Sequence, residues 1–539
     1  MLEVPTILGL LTVVTLLALL APRLRIPIPT CMVLGGLAIS LIPGLPEVDM
    51  PPELVFLVFL PPLLYAAAWQ MPWQDFKRNL RPILQLAIGL VLITALGVAV
   101  TIKWMVPEMS WAFAFALGGI LGPPDAVAAT SVTRGLGVPQ RLVTILEGES
   151  LVNDATGLVI YKLGIAAAIT GTFVFLDAVG LFLMTAIGGV IVGYLLGHAV
   201  TWIHRHLDEP TVETVLTLLT PYAAYLAAEQ FHWSGVLATV TAGIHISRRQ
   251  QEYFSPTLRL QATSVWNTLD FILNGLAFVL IGLQLPTVLR QLQREESLLL
   301  AASITLVVYL AMVTIRMLWI WPAAWLPRVL SSRIRRREPM PKPSALVVIG
   351  WCGMRGVVSL AAALAIPHTM ADGSPFPFRG MLLAITFGVV LGTLVIQGLT
   401  LAPLVRWLKL SNPQYSGDEE ELQLRLELVA AAISYLETQE QYALSSPQMV
   451  ARVREHFERQ GELWLSQMAM QHVSKEDAAE MARPSRELYL GAICAQRRLL
   501  HRMRDSGRVH GPGWQRLLDA VDLEEARFRI ALGAKWKDD

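Results

Sequence analysis

The chain has 539 residues, 54% of them hydrophobic and only 16% charged, whereas an average soluble domain carries about 25% charged residues. A mean hydropathy of +0.51 places most of it in a membrane, and a formal net charge of +1 gives no bulk attraction for nucleic acid or an acidic partner. The three cysteines, Cys31, Cys352 and Cys494, are too few and too scattered for a disulfide framework or a metal site, and read as packing residues.

In chain order, apolar segments of spanning length, separated by Pro, Gly and charge, predict about thirteen transmembrane helices. They begin near Thr6, Ile26, Glu53, Pro82, Trp111, Leu142, Phe173, Thr211, Phe231, Ala262, Ser297, Lys342 and Phe378. The first is expected in the mature protein, because Glu3 precedes it, no basic region leads into it and no A-x-A-like site follows. Basic residues gather in the loops after odd-numbered helices, from Arg23 and Arg25, through Lys77, Arg78, Arg81, Arg134 and Arg141, to the Arg333 to Arg337 cluster. The opposite loops hold only Lys103, Arg290, Arg294 and Arg379. By the positive-inside rule the N-terminus is expected outside and everything after helix 13 in the cytoplasm.

After Leu410 charged residues alternate with Leu and Ala at helical spacing, opening on Asp418-Glu419-Glu420-Glu421. The domains read as a membrane part, residues 1–410, and a soluble helical cytoplasmic tail, residues 411–539. No phosphate loop, dinucleotide fingerprint, catalytic triad or zinc spacing appears, so the chain does not read as an enzyme and implies no organic cofactor.

Helix 5 contains Gly122-Pro123-Pro124-Asp125. Two prolines in succession remove two donors and must break the helix, freeing carbonyls that are tolerated at bilayer depth only where they line a cavity or bind something. The alternative is a proline kink with Asp125 capping the second half-helix, and both can hold together. In helix 6, Glu149, Ser150, Asn153 and Asp154 share one helical face inside an otherwise apolar run. Such a stripe either glues helices together or performs a task, and a carboxylate at that depth favours a task. In helix 12, Gly350, Gly353 and Gly356 surround Arg355 and are expected to unwind it. Interrupted helices seven apart belong to two inverted halves, the arrangement of a secondary transporter with its site where they cross. Arg355 needs an anionic partner. Glu149 is the expected one, leaving Glu149 with Arg355 structural and Asp154 with Asp125 functional.

These motifs, Gly-Pro-Pro-Asp-Ala-Val-Ala-Ala-Thr (122 to 130), Glu-Ser-Leu-Val-Asn-Asp (149 to 154) and Gly-Met-Arg-Gly (353 to 356), resemble those of the monovalent cation:proton antiporter-1 family, the bacterial sodium/proton exchangers. The resemblance implies a homodimer of thirteen-helix protomers whose six-helix core moves like an elevator. It implies that Asp154 binds the cation or the proton, and that Asp125, Ser150 and the backbone carbonyl of Pro124 help to coordinate sodium. Asn153 stands where electrogenic relatives carry a second aspartate, which implies one-for-one electroneutral exchange. The chain departs from the family at Ala66, where a glutamate often joins the site, and at Pro124, where many members have Thr.

The expectation is therefore an all-α polytopic inner-membrane antiporter, its partners being sodium (or lithium), the proton, membrane lipid and a second copy of itself. Potassium/proton exchange is the nearest alternative, because the helix 3 carboxylate is missing. A membrane-embedded sensor or scaffold acting through its tail is the other, and it would tolerate neutralising Asp154.

Overall fold

The computed structural model describes residues 4–43, 55–133, 136–172, 175–292, 298–370, 374–410, 418–438 and 447–470, with shorter stretches between 491 and 526. Arg134, Arg294, Cys494 and the expected helix starts at Glu53, Phe173 and Ser297 lie outside the described residues. The chain divides into two compact units, Met1–Tyr415 and Ser416–Asp539. Among the described residues the regular structure is helical, and the β-pairing is one isolated bridge between Thr369 and Pro375.

In the first unit, α1 (Val4–Leu24) and α2 (Ile28–Ser40) precede α3 (Val55–Gln70), and α4 spans Leu80–Met105. The fifth helix is in two pieces, α5a (Trp111–Leu121) and α5b (Ala126–Thr133). Continuous helices follow: α6 (Gln140–Thr170), α7 (Phe175–His204), α8 (Pro210–Glu229), α9 (Gly235–Tyr253), α10 (Pro256–Leu283) and α11 (Leu298–Leu330). The twelfth is again in two pieces, α12a (Pro343–Trp351) and α12b (Val357–Leu364), and α13 runs over Arg379–Trp407.

Among the described residues, eight helical segments are long and apolar enough to cross a membrane: α1, α4, the two halves of α5 together, α6, Ala178–His204, Pro256–Leu292, α11 and α13. The apolar α2 and α3 are shorter, α8 and α9 are more polar, and α12 is interrupted.

Two contacts decide where the broken helices lie. α5a runs against α6, and glycines let the backbones approach: a Cβ on Gly119 would come within 2.6 Å of the Tyr161 nitrogen, and one on Gly157 within 2.2 Å of the Pro123 ring. α12b crosses α5a, while the C-terminal part of α13 lies along α5b, so both breaks meet inside the main apolar core. α11 flanks them, touching α4, α12a and α13. In the second unit, α14 (Asp418–Thr438) lies against α15 (Pro447–Met470), and Arg454 of α15 pairs with Glu437 of α14 at 3.2 Å.

Candidate functional site at two helix breaks

Pro123 and Pro124 have no N–H to give, so α5a ends at Leu121 and the chain needs new partners before α5b can start. Asp125 supplies one as a cap: its Oδ1 accepts from the Val127 amide at 2.8 Å. The polar stripe of α6 supplies the others. Ser150 Oγ accepts from the Ala126 amide at 3.3 Å, and Asn153 Nδ2 donates to the Pro124 carbonyl at 2.7 Å. The remaining amide oxygen, Asn153 Oδ1, is buried without a partner among the described residues.

α12 is unwound from Cys352 to Gly356, and the two breaks are joined directly, the Asp125 amide donating to the Met354 carbonyl at 2.7 Å. Gly356 is required by this approach. A Cβ there would lie 1.8 Å from Asp125 Oδ2, so any larger residue displaces the carboxylate.

The expected pairing of Glu149 with Arg355 is corrected by the structure. Glu149 is held instead by Arg316 of α11 in a bidentate pair, Nη1 to Oε1 at 2.6 Å and Nη2 to Oε2 at 2.8 Å, with both side chains buried. Arg316 Nε also donates to the Ile349 carbonyl of α12a at 3.2 Å, so one guanidinium ties three helices together. Arg355 serves the break itself: Nε donates to the Leu121 carbonyl at 2.7 Å, Nη2 to the Gly122 carbonyl at 3.2 Å, and Nη1 to the Gly353 carbonyl. The physical reason is local. Carbonyls at the end of α5a lack intrahelical partners and carry the negative end of a half-helix dipole, which a guanidinium emerging from the facing break can cap. Arg316 reaches Glu149 from α11 with one terminal nitrogen to each carboxylate oxygen, the forked match that a guanidinium offers a carboxylate.

Asp154 is treated differently. It is 7% exposed and, among the described residues, makes no hydrogen bond or ion pair, while Asp125 acts on it as a like charge. Asp125 in turn feels Asp270 of α10, whose carboxylate accepts from Asn274 Nδ2 at 2.9 Å. Two carboxylates that repel each other, Asp154 and Asp125, therefore share one region, with Asp270 acting on Asp125 alone, and that region also contains the Ser150 hydroxyl, the Pro124 carbonyl and the Asn153 oxygen that has no partner among the described residues. A small hard cation or a proton relieves such an arrangement, because oxygen donors and uncompensated negative charge are what either seeks. Ala66 of α3 is buried and offers no ligand.

Sequence reasoning placed Asp125, Ser150, Asn153, Pro124 and Asp154 in this region but missed Arg316 and Asp270. A signal was there for both, since each is an ionisable residue inside a long apolar helix, which is a reason for suspicion by itself.

Residues 9–407 match the profile of the transmembrane sodium/hydrogen exchangers. The sodium, potassium, lithium and rubidium/H(+) antiporter of Bacillus pumilus (strain SAFR-032) is 36% identical over 385 residues, 70% of this chain and 57% of that protein, so the match spans little more than half of that relative. The Na(+)/H(+) antiporter ApNhaP of Aphanothece halophytica is 32% identical over 418 residues, 75% of this chain and 73% of that protein. Among solved structures, the sodium proton antiporter MjNhaP1 from Methanocaldococcus jannaschii at pH 8 superposes with a TM-score of 0.58 at 18% identity, covering 76% of this chain and 99% of that one, a likeness of fold.

Proposed function

The chain belongs to the transmembrane sodium/hydrogen exchanger family, and we propose that it exchanges sodium for protons across the membrane, Asp154 holding either ion in turn. The observation that carries this reading is the state of Asp154: a buried carboxylate with no counter-charge among the described residues and a second acid acting on it. A structural acid at this depth would have a cation beside it. Asp154 is instead left to be neutralised by whichever ion arrives.

In the proposed cycle, sodium is held by the Asp154 and Asp125 carboxylates with oxygens from Ser150, Asn153 and the Pro124 carbonyl. A proton on Asp154 displaces it. Either ion cancels the same single negative charge, and the core formed by α4 to α6 and α11 to α13 crosses, elevator fashion, only when that charge is cancelled. Asn153 is neutral and its amide is bonded to the Pro124 carbonyl, so it brings no second proton and exchange is one for one. The thirteen helices form two inverted halves, with the N-terminus outside, the tail in the cytoplasm, and the protomers paired in the inner membrane. Lithium is expected to substitute for sodium.

Potassium exchange is a second reading, favoured by Ala66, which is buried and leaves the site without the carboxylate that the family often has at this place. Antiport measured in proteoliposomes with sodium, lithium and potassium tests both readings. Sodium-driven proton movement with little response to potassium supports the first, the reverse ranking supports the second, and no cation-dependent proton flux refutes both. A membrane potential acts with about 2.3 kcal/mol per elementary charge per 100 mV. An imposed potential should therefore leave the endpoint sodium gradient unchanged, and a shift would show that another group carries charge through the cycle.

A further inference from the structure

Away from the helix breaks, three arginines converge on one carboxylate. Glu338 Oε2 lies 2.7 Å from Arg81 Nη2, 3.3 Å from Arg141 Nη2 and 3.8 Å from Arg328 Nη2. Arg328 also donates through Nε to the Glu338 carbonyl at 3.0 Å, and Arg141 through Nε to Asn79 Oδ1 at 3.0 Å. Three positive charges facing one negative leave two in excess, and Arg81 and Arg141 both press on Arg328 as like charges. The donors are not used up either. Arg81 Nε and Nη1 are buried with no partner among the described residues, while its remaining nitrogen holds Glu338.

A staple between helices needs one arginine for one carboxylate, and it does not strand two guanidinium N–H groups. An excess of forked donors around a single acid is what a tetrahedral oxyanion fits, because phosphate accepts several charge-assisted bonds at once. The position points to the source. Arg81 stands at the start of α4, Arg141 at the start of α6 and Arg328 near the end of α11, where three apolar spans stop together. The same helix ends carry exposed Leu84 and Trp325, surface that an acyl chain can cover.

We propose that Arg81, Arg141 and Arg328 form a binding site for a phosphate group, brought to it by an anionic phospholipid whose headgroup competes with Glu338 for the guanidinium donors. The site is separate from the Asp154 region, and its test does not depend on exchange.

The test uses the full-length protein in neutral detergent, titrated with phosphatidylglycerol, with phosphatidylcholine and with inorganic phosphate alone, read by thermal shift and by lipid retained in native mass spectrometry. Phosphatidylglycerol is expected to bind and stabilise where phosphatidylcholine does not. Arg81→Gln should weaken that binding about tenfold. Glu338→Gln should strengthen it, because it removes the competing acid, whereas in a mere staple the same change could only loosen the helices. Should Arg81→Gln fail to fold, Arg141→Gln and Glu338→Gln carry the test. If inorganic phosphate alone reproduces the stabilisation with the same dependence on Arg81 and Glu338, the phosphate site stands and the lipid source falls. Equal binding of both lipids, or no gain in Glu338→Gln, overturns the proposal.

Discussion

Glu149 and Asp154 stand five residues apart on α6, both nearly closed to solvent at 1% and 7% exposure. The first is clasped at both oxygens by Arg316; the second has no cation near it among the described residues and an aspartate acting against it. Burial is thus shared, and only the neighbours differ. An acid whose charge is matched in the fold holds helices together, while one whose charge is unmatched has to be matched by something that comes and goes.

The largest expected effect comes from removing the unmatched charge. Asp154→Asn should reduce cation-dependent proton flux in proteoliposomes to background while yield and thermal stability stay near wild type. Undiminished flux would erase the distinction between the two acids. Glu149→Gln should act the opposite way, costing about 3 to 5 kcal/mol of stability because the buried Arg316 loses its counter-charge and keeps only the Ile349 carbonyl. A double-mutant cycle on melting temperature sharpens this: Glu149→Gln with Arg316→Gln should cost less than the sum of the two, by about 1 to 3 kcal/mol. The cycle with Arg355→Gln should be closer to additive, and strong coupling there would return Arg355 to Glu149.

Gly356→Ala comes next. Its methyl group must push Asp125 aside, and overpacking of this kind costs about 1 to 3 kcal/mol. We expect exchange to fall because the carboxylate is moved, with the half-saturating sodium concentration rising in initial-rate measurements. The smallest effect is expected at Asp270. Removing that charge in Asp270→Asn should raise half-saturating sodium about fivefold, in line with a charge acting from across the site, and leave the maximal rate and the melting temperature alone. A change in maximal rate instead would place Asp270 among groups that move with the ion.

Much of the site was legible because its signals are local. Two adjacent prolines followed by an aspartate mark 123–124 as a place for a break, although the pair Pro61 and Pro62 is carried inside α3, and four polar residues on one face of α6 stand out against Leu, Val and Ala. What was not legible is lateral. Sequence spacing gives the face on which Glu149 projects but not which neighbouring helix sends an arginine to it, so Arg355, the arginine of the other motif, reads as the partner and Arg316 goes unnoticed. Arg355 has its own demand to meet, the carbonyls of Leu121 and Gly122, which lose their helical partners because the Asp125 and Ala126 amides turn to Met354 and Ser150 at the break. Asp270 escaped for a related reason: α10 has no break and no motif, and only the crossing of helices gives its carboxylate an audience. Among the described residues eight helical segments are long and apolar enough to span, and the helix expected from Lys342 is not one of them because it is split into the short pieces α12a and α12b.

The bond from the Asp125 amide to the Met354 carbonyl has a consequence for measurement. Prolines carry no exchangeable amide hydrogen, so a peptide covering residues 122 to 125 is silent at 123 and 124, and Asp125 is the first amide after the gap to report. Its acceptor belongs to the other broken helix. Deuterium uptake at this position therefore times the separation of the two strands of the crossing. Slow uptake that is unaffected by sodium would mean that the crossing stays shut while ions pass, and uptake that falls with rising sodium would mean that the occupied site holds it closed.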